Sequence, residues 1–224
     1  MREIVIDTET TGLSPREGHR IVEIGCIELE NFIPTKNIFH KYINPERTVS
    51  EDAIKIHGYS NEFLSKQVKF SEIADDFLNF IKEKKLIIHN AAFDLSFLNH
   101  ELKLINKNSI KLDNVIDTLE IARGKFPGSP NSLDALCKRF RIDNSKRTKH
   151  SALVDCELLS KVYLNLFDQK EPKLNFFLDS QNQNLNKEFN SKNNQYSKKI
   201  ITPNQEEIKT HNVFLKNNLK KNYF

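Results

Sequence analysis

Up to Ile43 the apolar residues come in runs and alternations; beyond it most recur with a period near 3.6 residues. Ile4-Val5-Ile6 is a continuous aliphatic run, the mark of a strand buried on both faces at the centre of a sheet. After a turn at Gly12-Leu13-Ser14-Pro15, residues 19–30 alternate well enough for a long half-buried strand. Residues 31–36, with Pro34, read as a hairpin connection, and 38–43 as a third strand closed by Asn44-Pro45. Ser50 followed by Glu51 and Asp52 opens a short helix ending near His57-Gly58. Residues 70–82 carry Phe70, Ile73, Ala74, Phe77, Leu78 and Ile81 at helical spacing. Leu86-Ile87-Ile88 is a short buried strand, followed by a tight turn and a helix through Leu104. Val115-Ile116 is a further strand, residues 119–123 and 132–140 are helical, and a last strong helix covers 151–167. Strands first, then helices alternating with short strands, predict an α/β domain: a mixed sheet flanked by helices, ending near residue 168.

The pattern then fades. Residues 181–199 are rich in Asn, Gln, Ser and Lys and poor in apolar side chains, which predicts a mostly disordered tail. Periodicity returns past residue 200, where Thr202-Pro203 would cap a helix bearing Ile208, Val213, Leu215 and Leu219. Four apolar residues cannot fold alone at that length, so this segment suits docking to a partner. The expected organisation is a domain at 1–168, a flexible linker at 169–199 and a docking segment at 200–224.

Composition narrows the class. The chain has 224 residues, 38% of them apolar, and no run near the roughly 18 to 20 needed to span a bilayer. The first strand begins at once, leaving no room for a signal peptide, and Cys26, Cys137 and Cys156 lack metal-ligand spacing. A soluble cytoplasmic protein with reduced core thiols is the expectation. The net charge of +4 is unevenly placed: from residue 169 onward ten lysines face five acids, and the first 168 residues hold 24 basic against 25 acidic groups. A nearly neutral body grips nucleic acid poorly by itself, because phosphate neutralisation supplies most non-specific affinity. Another subunit must supply the grip if nucleic acid is the substrate.

Three stretches carry candidate chemistry. Side chains alternate along a strand, so Asp7 and Glu9 share one face, and two carboxylates that close repel unless a cation sits between them. Mg²⁺ and Mn²⁺ prefer such hard oxygen ligands. Asp94 stands in the first turn of the helix after His89-Asn90-Ala91-Ala92-Phe93. His150 precedes Asp155 by five positions, about 140° apart on an ideal helix, so the two cannot share one helix face. If both serve one site, His150 lies in the preceding loop, Ser151 caps the helix and Asp155 sits one turn inside it.

Asp7-x-Glu9 at a strand end, Asp94 after its turn, and His150 with Asp155 form an ordered set of four acids and one histidine. The set resembles the DEDD exonuclease superfamily, histidine subclass, over residues 1 to about 168. Asp7-Thr8-Glu9-Thr10-Thr11-Gly12, Ile88-His89-Asn90-Ala91-Ala92-Phe93-Asp94, Asn131-Ser132-Leu133-Asp134-Ala135-Leu136-Cys137 and Ile142-Asp143-Asn144-Ser145-Lys146-Arg147-Thr148 narrow the resemblance to the proofreading branch serving bacterial replicative polymerases. The resemblance implies a ribonuclease-H-like fold and hydrolysis of 3′-terminal phosphodiesters with two divalent cations, Mg²⁺ or Mn²⁺, releasing nucleoside 5′-monophosphates. It implies Asp7 as the ligand shared by both ions, Glu9 and Asp155 on the first, Asp94 on the second through water, and His150 as the general base. Asp7, Glu9, Asp155, His57 and Asp52 would touch the terminal nucleotide of a single-stranded or frayed DNA 3′ end. Implied partners are the polymerase catalytic (alpha) subunit through 200–224, a small theta-type subunit, and a sliding clamp through Lys173-Leu174-Asn175-Phe176-Phe177. A free-standing exonuclease trimming RNA ends and a non-catalytic scaffold are the competing readings. Lys146, Arg147 and Lys149 read as a solvated basic loop, Asp117 as structural, and His89 as a residue that orders its turn.

Overall fold

The computed structural model describes residues 2–145, 147, 149–167 and 203–218. The chain divides into two compact units, 1–173 and 174–224. The expected linker at 169–199, including the clamp-like peptide at 173–177, and the ends of the docking segment lie outside the described residues.

The first unit is built on a five-stranded sheet in the order β3-β2-β1-β4-β5. β2 (Ile21–Glu30) runs antiparallel to both its neighbours, β1 (Arg2–Thr10) and β3 (Ile33–Tyr42). β4 (Lys85–Ile88) and β5 (Val115–Asp117) join β1 in parallel. β1 is thus central, and its aliphatic run feeds both faces. Ile4 and Ile6 enter one core with Phe70, Phe77 and Phe97, whereas Val5 enters the other with Leu136, Leu159 and Val162. The first core is closed by α3 (Phe70–Ile81) and α4 (Ala91–Leu104), the second by α6 (Leu133–Phe140) and α7 (Ala152–Leu166). Helices on both faces of a mixed sheet match the α/β architecture expected from the pattern.

Three boundaries differ from expectation. The hairpin between β2 and β3 is two residues, Asn31 and Phe32, both with positive φ (52° and 68°), not a six-residue connection. That backbone suits the strand twist, and Pro34 is tolerated because β3 is the sheet edge. β2 is buried for nine of its ten residues, because α7 lies across it. The short α2 (Asn61–Ser65) follows α1 (Glu51–His57) and has no counterpart in the apolar pattern, since five residues carry no helical period. α5 (Thr118–Lys125) completes this unit.

Of the second unit, the described part is residues 203–218, which hold α8 (Gln205–Asn218). Asn204 caps it, its Oδ1 accepting the N–H groups of Glu206 and Glu207; Thr202, the expected cap, lies outside the described residues. Ile208, Val213 and Phe214 are exposed.

Candidate active site

The carboxyl ends of β1, β4 and β5 open onto a cavity of about 750 Å³, where an open α/β sheet leaves room for a ligand. Asp7, Glu9, Asp94, His150 and Asp155 all line it. They arrive from β1, α4, α7 and the loop before α7. Asp7 and Glu9 alternate with Thr8 on β1 and share the face of Val5, the side on which α7 packs. Asp94 comes from the opposite layer, in the first turn of α4. Its Oδ1 accepts both the N–H (3.0 Å) and the hydroxyl (2.7 Å) of Thr8, which ties it to the middle of the Asp7-Thr8-Glu9 stretch. The turn before α4 is pinned by Asp117, whose carboxylate accepts the N–H groups of Asn90, Ala91 and Leu119. His89 is held at both ring nitrogens, by Thr118 Oγ1 at 2.9 Å and the Asn131 carbonyl at 3.0 Å, so it orders this turn.

Asp155 lies one turn inside α7, and the loop before that helix carries His150, its side chain 46% exposed. Ser151 occupies the N-cap position without capping; Glu23 of β2 satisfies the helix start instead. Glu23 accepts the Ala152 N–H (2.9 Å), the Ser151 hydroxyl (3.0 Å) and the Tyr59 hydroxyl (2.7 Å), and pairs with His40 Nε2 (2.7 Å). Burial of Glu23 works against its charge, yet the bonds from His40, Ala152 and Tyr59 hold its carboxyl below the usual range. Gly25, which pairs with Asp7 across the sheet, makes the approach of α7 possible. A Cβ there would stand 2.5 Å from the Ala152 backbone carbon. Neither Glu23 nor Gly25 has a signature in the sequence; both are set by a packing contact 127 or more positions away.

The basic loop is the main correction. Arg147 is not solvated: its side chain is 8% exposed and its Nε and Nη2 reach the two Asp155 oxygens at 2.5 and 2.8 Å. Nη1 reaches Asp134 Oδ2 at 2.7 Å. The available signal was that an arginine stands among lysines, and its planar fork fits a carboxylate as an ammonium cannot. Lys146 lies outside the described residues.

Electrostatics mark the acids as a mutually repelling group. Burial, then the charges of Asp94, Glu9 and Asp155, push the Asp7 carboxyl well above its ordinary range. Burial and the charges of Asp155 and Glu23 raise Glu9 to about 8. Burial raises Asp94 to about 7 against the hydrogen bonds from Thr8. Of these four acids Asp155 alone is lowered, since its neighbours His150 and Arg147 outweigh its burial. One ligand atom each from Glu9, His150 and Asp155 lie within 4.8 Å of one another. Hard oxygen donors in excess of nearby positive charge fit a divalent cation.

A second cavity of about 460 Å³ shares Thr8, Glu9 and Phe93 with the first and is lined by His57 and Asp52. His57 stacks on Tyr59 (4.9 Å between rings) and accepts the Tyr59 N–H at Nδ1, so its proton sits on Nε2, which is buried without a partner among the described residues. Burial lowers its pKa to about 4, which keeps the ring neutral. Asp52 stands exposed on the rim, paired with Lys55 at 2.9 Å.

A family profile described as Exonuclease matches residues 4–163. The DNA polymerase III subunit epsilon of Rickettsia felis is 51% identical over 225 residues, covering 98% of both chains. The subunit of the same name from Haemophilus influenzae is 43% identical, covering 96% of this chain and 90% of its own. Among solved structures, the nuclease domain of 3′hExo, a DEDDh family member bound to rAMP, superposes with a TM-score of 0.64 at 18% identity, over 75% of this chain and 92% of that one.

Proposed function

Since the chain belongs to the exonuclease family, with relatives named DNA polymerase III subunit epsilon over nearly its whole length, we propose that it is the 3′→5′ proofreading exonuclease of a bacterial replicative DNA polymerase. The observation that carries this reading is the convergence of Asp7, Glu9, Asp94, Asp155 and His150 on one cavity at the strand ends. The enzyme depends on divalent metal, and Mg²⁺ or Mn²⁺ suits the oxygen donors present. Asp7 would serve both ions, Glu9 and Asp155 the first, and Asp94 the second through water. When bound, such ions supply charge stabilisation and a more acidic water. His150, on an exposed loop, takes the proton from the attacking water. Thr8 holds Asp94 in place, and Glu23 holds the start of α7 so that Asp155 and His150 keep their separation. The second cavity suits the terminal nucleotide: His57 offers a neutral Nε2–H, and Asp52 contributes at the rim.

The substrate is the 3′ end of single-stranded or frayed DNA, and the nearly neutral body favours delivery by a polymerase over independent gripping. Residues 200–224 would dock to the polymerase catalytic (alpha) subunit, with 169–199 as the connecting linker and 173–177 as a clamp contact. A small theta-type subunit would bind the body. No helix among the described residues is long and apolar enough to cross a membrane. A cytoplasmic site of action follows from the role in replication. The test is digestion of paired and mispaired primer termini in Mg²⁺ and Mn²⁺, with and without the polymerase subunit. Release of nucleoside 5′-monophosphates, faster from mispaired ends, is expected; equal or greater activity on RNA 3′ ends would favour a free-standing trimming enzyme.

A further inference from the structure

Arg147 ties together two groups that the proposed reaction needs separately. Its Nε and Nη2 take both oxygens of Asp155, and Nη2 also lies 2.7 Å from His150 Nδ1. An arginine donates at every nitrogen and accepts at none, so His150 Nδ1 is the acceptor in that contact. A neutral imidazole has one basic lone pair. With Nδ1 engaged, the proton of His150 resides on Nε2 and the ring has nothing left with which to take a proton from water. The same guanidinium therefore occupies the carboxylate of α7 and silences the histidine of the preceding loop.

We propose that Arg147 is a built-in counter-ion that latches the metal-free site, and that it gives up Asp155 and His150 together when a divalent cation binds. The proposal rests on the reading of Asp155 as a metal ligand and His150 as the base. Two features support an exchange over a permanent pair. The acids around Asp155 present more negative charge than one guanidinium neutralises, and a divalent ion brings twice its charge to oxygen donors it prefers. A second berth also exists: Nη1 already holds Asp134 Oδ2 at 2.7 Å, and Asp134 is an exposed residue of α6 whose other oxygen takes Asn144 Nδ2 at 3.1 Å. Arg147 can thus pivot on Asp134 while its Nε and Nη2 leave. The consequence is that the base becomes available only in a site that holds its metal.

The experiment titrates Mn²⁺ into the full, metal-free chain, following free Mn²⁺ by electron paramagnetic resonance. Arg147→Gln should bind Mn²⁺ more tightly than the parent, on the order of tenfold given the strength of a charge-assisted pair, with Arg147→Lys between them. A residue that merely braced the fold would shift affinity the other way, so unchanged or weaker binding by Arg147→Gln overturns the latch. Asp155→Asn should lose affinity; parent-like binding by that variant would instead remove the metal reading, and the latch with it. Should Arg147→Gln fail to fold, the parent decides the matter by NMR. Its Arg147 Nε–H resonance, identified by its loss in Arg147→Lys, should shift and exchange faster with water on saturation with Mg²⁺. A resonance that stays fixed overturns the proposal.

Discussion

Asp7 concentrates the electrostatic tension of the site, because Asp94, Glu9 and Asp155 all raise its pKa on top of its burial. Asp7→Ala should abolish exonuclease activity and leave the metal-free protein as stable as the parent or more so, as judged by melting in EDTA; retained activity in Mg²⁺ would remove Asp7 from the metal site. The same tension sets a pH dependence. Asp94 at about 7 and Glu9 at about 8 are raised above the ordinary carboxyl range near 4, so the stability they confer is complete below about pH 4 and is lost as pH rises through those values. The lowered carboxyls of Asp155 and Glu23 act oppositely, and their contribution is lost only on the acid side. Metal-free protein should therefore melt lower at pH 8.5 than at pH 5.5 (roughly the two sides of this window), and saturating Mg²⁺ should flatten the slope. A melting temperature that climbs with pH in EDTA would contradict the assignment. His150 and Asp155 separate by a different measurement. His150→Ala should cut turnover by about 10² to 10⁴ with little change in metal affinity, whereas Asp155→Ala should weaken metal binding itself. Since His150 lies within ligand distance of Glu9 and Asp155, equal metal loss in both variants would make it a ligand. The acids and the histidine were legible as a set through the resemblance to the exonuclease superfamily; locally, strand alternation paired Asp7 with Glu9 and the helix angle set His150 off α7. Arg147 was not, because its role depends on which carboxylate the fold places opposite it.

Elements were legible where one local rule dominates. The helices α3 and α7 follow from their apolar period, and α1 from the Ser50 cap and the Gly58 end, both present as expected. The two-residue hairpin was obscured because Pro34 mimics a loop residue, and only its place on an edge strand reconciles it with the sheet. The seating of α7 is a tertiary fact, and Gly25 tests it. Gly25→Ala puts a methyl against the Ala152 backbone, which cannot move independently of Asp155. A stability loss of about 1 to 3 kcal/mol is expected, with weakened Mn²⁺ binding in the same variant. At Gly124, within α5, an added methyl would meet nothing within 4 Å, so Gly124→Ala should instead stabilise by about 0.5 to 1 kcal/mol. Comparable melting temperatures for the two variants would show that α7 is free to shift on β2.

At the scale of the molecule the charge is unevenly divided. The first 168 residues carry 24 basic against 25 acidic groups, and the remainder ten lysines against five acids. The described residues that line the active-site cavity all belong to the first unit. On α8 Ile208 and Leu215, seven positions apart, share one face of an ideal helix, whereas the exposed Val213 and Phe214 lie about 140° and about 120° away from Ile208, so its apolar surface is small and divided. Such a helix gains stability from a partner and not from itself. Removing everything beyond residue 180 should therefore leave the digestion of single-stranded ends unchanged in rate and metal requirement. The shortened protein should no longer co-purify with the polymerase, and its activity on primer termini should stop responding to added polymerase subunit. Within α8, Ile208→Asp in the full chain should reproduce the binding loss without touching the free activity, which separates a lost contact from a shortened tether. Tight polymerase binding by the shortened form would place the docking surface on the exonuclease body instead, and the tail would then have no part in assembly.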